Sequence, residues 1–427
     1  MKTIKLIILL LSFTSLLKAQ DRNYALQLID TLSAPGMHGR GYVFEGDKKA
    51  AHFIKAEFVK MELQPFNNNY FQPFPFSVNT FPGKVDLSAG SKILKPGIDY
   101  LILPHSGSDS GTYHLSWLDY KTWKNSRKFK AFKKIDFSDK YLVIDDAGIK
   151  TNADKEIHKA MLANPFKAKG IIKLTGDKLT WSVSRTEVNY TALEVLRTSF
   201  PKRARTITLN VENEFFNAYI SQNVAAYIKG LTMPDSFIVF TAHYDHLGRM
   251  GEKTYFPGAN DNASGIALLS DIAGYYSKNP PAYSIAFIAF SAEEAGLVGS
   301  EYYVKNPLFP LNKIKFLINL DLLGSGEQGI TVVNGSVFEH EFGLLNSINS
   351  SNNYITKINK RGKAANSDHY YFTEKGIKSF FIYALGGSRA YHDINDTPEN
   401  VKLPVYDKIF LLLKDFTDKL SNNSEQK

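Results

Sequence analysis

Short apolar runs that end in polar residues dominate the second half of the chain. Phe237–Phe240 and Ile285–Phe290 are continuous apolar segments, and Ala263–Tyr276 between them carries apolar residues at helical spacing. Continuous runs of this length are typical of strands that are buried on both faces of a parallel sheet. The pattern predicts a right-handed strand–helix–strand unit, with Asp261 and Asn262 as candidate caps of the helix.

Three further apolar runs extend the predicted sheet. Asn223–Gly230 precedes the unit along the chain. Lys315–Leu320 leads directly into Asp321, and Ser379–Leu385 leads into a glycine-rich loop. Alternating strands and helices form mostly parallel sheets, in which side chains at neighbouring strand ends meet at one edge. We predict an α/β fold with a mixed, mostly parallel central sheet flanked by helices.

The opening of the chain has a pattern of its own. Lys2 and Lys5 precede the apolar run Leu6–Leu17, and Ala19 supplies a small residue for cleavage. This arrangement is typical of a secretory signal peptide over residues 1–19, and the run is too short to cross a bilayer. We expect an exported protein, periplasmic or extracellular, without a transmembrane segment once the signal is removed.

Residues 20–79 predict an N-terminal segment that packs on the catalytic domain. A helix that Asp47 could cap repeats apolar residues at helical spacing and ends before Gln64. Its single apolar face needs a larger surface to cover it, and the central sheet layer is the natural partner. The apolar positions are Ala51, Ile54, Phe58 and Met61 in this helix, and Ile409, Leu412, Phe416 and Leu420 in a predicted closing helix.

Residues 80–212 have a different texture, with short strand-like runs and one clear helix. All three tryptophans of the chain lie in this segment. We predict an inserted β-rich domain here, with the catalytic domain continuing over residues 213–427. The predicted elements of the insert include the strands Tyr141–Ile144, Gly170–Leu174 and Ile207–Val211 and the helix Asp154–Ala163.

Composition narrows the class of protein. Of the 427 residues, 44% are apolar and 22% are charged, which is ordinary for a soluble globular protein. The absence of cysteine excludes a lipid anchor on cysteine, disulfides and thiolate metal ligands. The formal charge of +9 falls to +6 without Lys2, Lys5 and Lys18 of the signal. Much of the remaining excess lies in Lys121–Lys134, which is either a solvated face or a surface for anionic partners.

One glycine-rich motif suggests a nucleotide-binding site but is not followed by the helix that such a site requires. Gly324–Gly329 matches the glycine pattern of dinucleotide sites, but that pattern should open a helix. Here the strand-like run Ile330–Val333 follows it. We expect no bound nucleotide and no nucleic-acid partner.

Candidate chemistry lies where the four central runs end. Two histidines and several carboxylates follow these strands, and such a mixture of nitrogen and oxygen ligands suits zinc or a similar divalent ion with an open position for water. Adjacent glutamates are costly to hold together without a cation, although alone they could be a solvent-facing acidic pair. The candidate residues are His243, Asp245, Asp261, Glu293, Glu294, Asp321 and His392.

Five motifs in order carry a resemblance to a known family. TAHYDHLG, GANDNASG, FSAEEAGLVGS, INLDLLG and RAYHDINDTPE resemble the M28 family of zinc aminopeptidases. The resemblance implies a zinc-exopeptidase-like fold with two zinc ions per chain. In the middle segment, DKYLVIDDAG, AKGIIK and ALEVLRTSF resemble the protease-associated domain that many members contain.

The resemblance also implies a role for each candidate. Asp261 would bridge the two metals, and its peptide bond to Asn262 would be cis. Glu293 would be the general base, and Asp245 would orient His243. The other metal ligands would be His243 and Asp321 at one ion, and Glu294 and His392 at the other.

Substrate contacts follow less directly from the sequence. Tyr391 and Arg389 are candidates because they adjoin His392 in the last motif. Asp368 and His369 are candidates because the resemblance implies that their segment, NSDHYYF, lies near the pocket. His246 has no spacing partner, which favours a packed or capping histidine over a metal ligand.

The function expected from these residues is a secreted dizinc aminopeptidase that acts on peptides with a free N-terminus. Two alternatives remain open. One is a glutaminyl cyclase-like enzyme with a single zinc, for which the catalytic half lacks the tryptophan of the known cyclases. The other is a non-catalytic binding protein on the same scaffold.

Overall fold

The computed structural model of the protein describes residues 21–202 and 204–422. The predicted signal peptide lies outside these residues, as does most of the polar C-terminal tail. The opening segment consists of helices α1 (Arg22–Ser33) and α2 (Gly46–Lys60) and strands β1 (Gln64–Pro65) and β2 (Phe71–Thr80).

The next segment forms a sheet of its own. In the described part of the chain it is eight-stranded, with the order β4-β3-β10-β6-β7-β8-β9-β5, and β6 to β9 are parallel. Its strands are β3 (Val85–Ala89), β4 (Lys92–Leu94), β5 (Tyr100–Ile102), β6 (Asp109–Leu118), β7 (Lys140–Asp145), β8 (Gly170–Thr175), β9 (Thr191–Leu196) and β10 (Thr206–Val211), and its helices are α3 (Tyr120–Lys124), α4 (Ser126–Phe132) and α5 (Asn152–Leu162).

The rest of the chain completes the central sheet. The strands of this part of the chain are β11 (Glu214–Ile228), β12 (Met233–His243), β13 (Arg249–Met250), β14 (Thr254–Tyr255), β15 (Tyr283–Phe290), β16 (Ile314–Asp321), β17 (Ile330–Val333), β18 (Ile358–Lys360) and β19 (Ser379–Ala384). Of these, β13 and β14 pair with each other in a separate two-stranded sheet. The helices of this part are α6 (Ser264–Lys278), α7 (Val298–Lys305), α8 (Glu339–Asn352), α9 (His369–Glu374) and α10 (Tyr406–Asn422).

The central sheet is mixed, with a parallel core. Over the described residues its order is β1-β11-β15-β12-β16-β19-β17-β18, and β2 pairs with β11. The four inner strands β15, β12, β16 and β19 are parallel, whereas β11 and β17 flank them antiparallel. The predicted α/β fold is therefore confirmed. Because the inner strands run the same way, their carboxyl ends meet at one edge of the sheet.

The opening segment packs on the same layer as α6. Leu28 and Ile29 of α1 and Ile54 and Phe58 of α2 belong to the buried cluster that also contains Ile266. The prediction that Asp47 caps α2 is wrong.

Asp47 instead joins α2 to the long strand β11. Helix α2 begins at Gly46, and the buried carboxylate of Asp47 accepts hydrogen bonds from Tyr219 Oη at 2.6 Å and Ser221 Oγ at 2.7 Å. The side chain satisfies hydroxyl groups of the neighbouring strand, and the first turn of the helix receives no side-chain cap.

The eight-stranded sheet shares an apolar core with the segment that follows β12. Leu247, Met250 and Phe256, which follow β12, pack among the buried residues of the insert sheet. The opposite face of that sheet is covered by α3, α4 and α5. Among the described residues, no helix is long and apolar enough to cross a membrane.

Candidate active site

The predicted metal ligands meet at the carboxyl edge of the parallel strands. His243 ends β12 and Asp321 ends β16, while Glu294 follows β15 and His392 lies in the loop after β19. Asp261 is in the turn that leads into α6. Side chains that are far apart in sequence are thus brought together because four strands end side by side.

Asp261 divides its two carboxylate oxygens between two groups of ligands. Its Oδ1 lies 3.4 Å from His243 Nε2, which is also 3.4 Å from Asp321 Oδ1. Its Oδ2 lies 3.1 Å from His392 Nε2, which is 3.2 Å from Glu294 Oε2. A carboxylate that faces one group with each oxygen has the geometry of a bridge between two cations.

The donor set suits zinc. Two imidazole nitrogens and several carboxylate oxygens converge in a buried pocket, and these are the ligand types that zinc takes in proteins. Asp321 Oδ1 is buried and makes no hydrogen bond, with His243 Nε2 3.4 Å away, and a cation at this position would satisfy it. Among the described residues, His243, Asp261 and Asp321 form one candidate metal cluster, and His246, Asp261 and Glu294 form another.

The pKa shifts agree with a site built for positive charge. Burial lowers the pKa of His392, but the carboxylates of Glu294 and Asp261 outweigh it and raise the pKa to about 11. Burial likewise opposes the charge on Glu294, yet His392 and His246 bring its pKa down to about 2. Both shifts favour positive charge beside these carboxylates, which is the charge that a divalent ion would supply.

Glu293 differs from its neighbour Glu294. Burial raises the pKa of Glu293 well above its usual value, and the nearby carboxylates of Glu294 and Asp368 add to this effect. A carboxyl group with a raised pKa takes up a proton more readily than a free glutamate does. The adjacent glutamates thus have different electrostatic characters although they are chemically identical.

Asp245 holds the backbone of the two glutamates. Its Oδ1 accepts from Glu293 N at 3.1 Å, and its Oδ2 accepts from Glu294 N at 3.3 Å. Tyr42 Oη donates to Oδ2 at 2.8 Å. The nearest partner of His243 Nδ1 is the carbonyl oxygen of Asp245, at 3.2 Å, whereas the carboxylate Oδ1 is 3.8 Å away. The expected orientation of His243 by Asp245 therefore involves its backbone rather than its side chain.

The turn that carries Asp261 is fixed from both sides. The peptide bond between Asp261 and Asn262 is cis, as the family resemblance implies. Asp396, which sequence reasoning did not single out, accepts from the backbone of Asn260 at 2.9 Å and of Asp261 at 3.0 Å. Of the two candidate caps, Asn262 serves α6, because its Oδ1 accepts from Gly265 N at 2.9 Å.

Arg40 is a second residue that the sequence did not reveal. Its guanidinium is fully buried and donates only to backbone carbonyls, including Tyr244 at 2.7 Å and Gly258 at 2.6 Å. It also reaches the carbonyl of Asp261 at 3.2 Å. Burial lowers its pKa to about 10. Arg40 therefore links the carboxyl end of β12 to the turn that carries Asp261. A single arginine outside any periodic segment carries no sequence pattern that would predict this role.

His246 takes a larger part in the site than expected. Its Nδ1 lies 2.8 Å from Glu294 Oε1, and the ring is fully buried. The two oxygens of Glu294 are thereby divided, with Oε1 on His246 and Oε2 towards His392. His246 is thus a packed histidine, as expected, and its ring also contacts the candidate ligand Glu294.

The candidate substrate contacts separate into exposed and buried residues. Tyr391 is 46% exposed and stacks on the His392 ring at 4.0 Å, and Arg389 is exposed. Asp368 is fully buried, and burial raises its pKa to about 7 against the effect of His243. His369 is buried as well, and burial lowers its pKa to about 4. Asp368 and His369 therefore lie behind the surface of the site.

Comparison with known proteins gives the family of the catalytic part. Residues 223–417 match the model of peptidase family M28. Aminopeptidase YwaD of Bacillus subtilis is 31% identical over 200 residues, which are 43% of this chain and 40% of that protein. A probable zinc metalloprotease of Pyricularia oryzae is 36% identical over 111 residues, 25% of this chain and 22% of that protein. The chain thus matches less than half the length of these relatives.

A solved structure extends the likeness to nearly the whole fold. The zinc aminopeptidase BSAP from Bacillus subtilis superposes with a TM-score of 0.71 at 20% identity, covering 96% of this chain and 97% of that chain. At this identity the likeness concerns the fold. The family match confirms, for residues 223–417, the M28 resemblance that the sequence motifs suggested. Residues 223–417 are a peptidase family M28 domain.

Proposed function

We propose that the protein is an exported dizinc aminopeptidase. The observation that carries this proposal is the division of the Asp261 carboxylate between two buried groups of ligands. One zinc ion would be held by His243 and Asp321, the other by Glu294 and His392, with Asp261 shared. Bound zinc would activate a water molecule and polarise the scissile carbonyl.

Glu293 would transfer the proton. Its raised pKa suits a carboxylate that takes a proton from the attacking water and passes it to the leaving amine. Asp245 would keep the backbone of Glu293 in place by accepting its N–H. Because Glu293 lies beside the ligand Glu294, the proton would have a short path from water to amine.

The free N-terminus of a peptide would face the same carboxylates. The α-ammonium needs a counter-charge, and Glu293 and Asp321 supply carboxylates at the site. Tyr391 would border the pocket for the first side chain, because its ring is half-exposed beside His392. We also propose that the inserted sheet is a protease-associated domain, in line with its sequence motifs.

A peptide hydrolysis assay with metal removal tests the proposed function. We expect release of the N-terminal residue from short peptides, loss of that activity on dialysis against a chelator, and its return with added zinc. The structural reason is that the described ligand set leaves Asp321 Oδ1 without a hydrogen bond in the absence of metal. Full activity in chelated, metal-free protein would contradict the proposal, and cyclisation of N-terminal glutamine without hydrolysis would favour the cyclase alternative.

A further inference from the structure

A loop of the insert reaches the candidate ligand His392. Trp181, between β8 and β9, donates its backbone N–H to the carbonyl of His392 at 2.9 Å. In return, His392 Nδ1 is 3.0 Å from the carbonyl oxygen of Trp181. We propose, on the basis of the proposed function, that this loop positions His392 for metal binding. The insert would thereby set the affinity for one of the two ions.

The Trp181 carbonyl selects the form of the His392 ring that can bind metal. A carbonyl oxygen can only accept, so Nδ1 must carry the hydrogen of this bond. The other nitrogen, Nε2, is then the one that can give up its proton and bind a cation, and it is the atom that faces Asp261 and Glu294. A hydrogen bond of this kind on the far side of a ligand histidine fixes both its tautomer and its orientation.

The two candidate histidines obtain this bond in different ways. His243 Nδ1 uses the carbonyl of Asp245, two residues further along the same strand end. His392 uses a carbonyl that is 211 residues away in sequence and belongs to the insert. The supporting bond of His243 therefore comes from the catalytic domain itself, whereas the supporting bond of His392 depends on the position of the insert.

Trp181 is held firmly enough to serve as a positioning residue. Its ring is 5% exposed and stacks on Phe256 with ring centroids 4.6 Å apart. Its Nε1 donates to the carbonyl of Ile102 in the insert at 2.7 Å. The residue is thus anchored to both domains at once, which keeps its carbonyl at a fixed distance from His392.

Lys178 adds a second attachment around the same loop. Its Nζ donates to the carbonyls of Arg389 at 2.8 Å and Tyr391 at 3.1 Å, and it forms an ion pair with the carboxylate of Asp393. These contacts lie on both sides of His392 in the chain. The Lys178 side chain is 44% exposed, so it can be replaced without opening a buried cavity.

Zinc titration of three variants tests the role of the loop. Lys178→Met removes the attachment, Lys178→Arg keeps a cation for Asp393, and Lys173→Met removes an ion pair with Glu194 inside the insert. Metal-free proteins would be titrated with zinc in competition with a chromophoric chelator. We expect Lys178→Met to bind one of the two ions about tenfold or more weakly, because loss of such a supporting contact typically costs 10- to 100-fold in metal affinity.

The other variants and the folding of the metal-free protein complete the test. We expect both ions to bind normally in Lys178→Arg and in Lys173→Met, and thermal unfolding of all three without metal shows whether each variant is folded at the titration temperature. Trp181→Phe keeps the stacking on Phe256 but loses the bond to Ile102, and should weaken the same ion to a smaller extent. This variant provides a second measurement on the loop if Lys178→Met proves unstable.

The outcomes separate this inference from the proposed function. Normal binding of both ions by Lys178→Met and Trp181→Phe would overturn the inference and leave the dizinc site intact. An equal loss in Lys173→Met would also overturn it, because the effect would then not act through the loop around Trp181. Wild-type protein that binds no zinc would overturn the proposed function, and this inference with it.

Discussion

Replacing Glu293 by Gln should leave both zinc ions bound and reduce turnover by about 10²- to 10⁴-fold, the usual contribution of a general base. The amide keeps the shape of the side chain but cannot take up a proton. The backbone N–H that Asp245 accepts is unchanged by the substitution, so the local structure should persist. The measurements are kcat for a short peptide and the zinc content of the purified variant.

Glu294→Gln is the matched control for this variant. The two residues are adjacent and receive the same chemical change, yet Glu294 faces His392 and His246 whereas Glu293 does not. We expect Glu294→Gln to lose affinity for zinc, with activity that returns in part at high zinc concentration. Equal metal loss in both variants would contradict the assigned roles.

Acetylation of a substrate's N-terminus should reduce kcat/KM by about 30-fold or more. The free ammonium would lie against Glu293 and Asp321, and losing one partner of a buried charge pair costs about 2–5 kcal/mol. The acetyl group also adds bulk where the pocket ends, beside Tyr391. The comparison needs one peptide in free and acetylated form, assayed at the same zinc concentration.

A peptide with a blocked C-terminus is the control for acetylation. It carries a similar change in charge at the other end, so an aminopeptidase should cleave it as it cleaves the free peptide. Equal cleavage of free and acetylated peptides, or cleavage at internal bonds, would contradict the aminopeptidase proposal and leave the metal site unaffected.

The strands of the central sheet were predictable because each is an apolar run bounded by polar residues. Ile330–Val333 is β17 with the predicted bounds, and Lys315–Leu320 is one residue shorter than β16 at each end. The strand β12 extends from Met233 to His243, beyond the apolar run that predicted it. Thr241 and His243 continue the strand despite their polarity, because β15 pairs with this stretch and supplies backbone hydrogen bonds.

The supporting contacts of the site were not predictable from the sequence. Arg40, Asp396 and Trp181 lie in loops, and each reaches the ligands across a long separation in the chain. Periodicity reports which face of an element is buried, but it carries no information about which loop meets which strand end. Asp47 illustrates the same limit, since its position before a helix suggested a cap and a distant strand determined its partner.

Diffraction at the zinc absorption edge, from crystals of active protein grown with zinc, tests the two-ion site most directly. We expect two anomalous peaks about 3.5–4 Å apart, the separation of co-catalytic metal pairs. The Asp261 carboxylate should lie between them, with His243 on one side and His392 on the other. A single peak, or none, in crystals of the active protein would contradict the dizinc assignment.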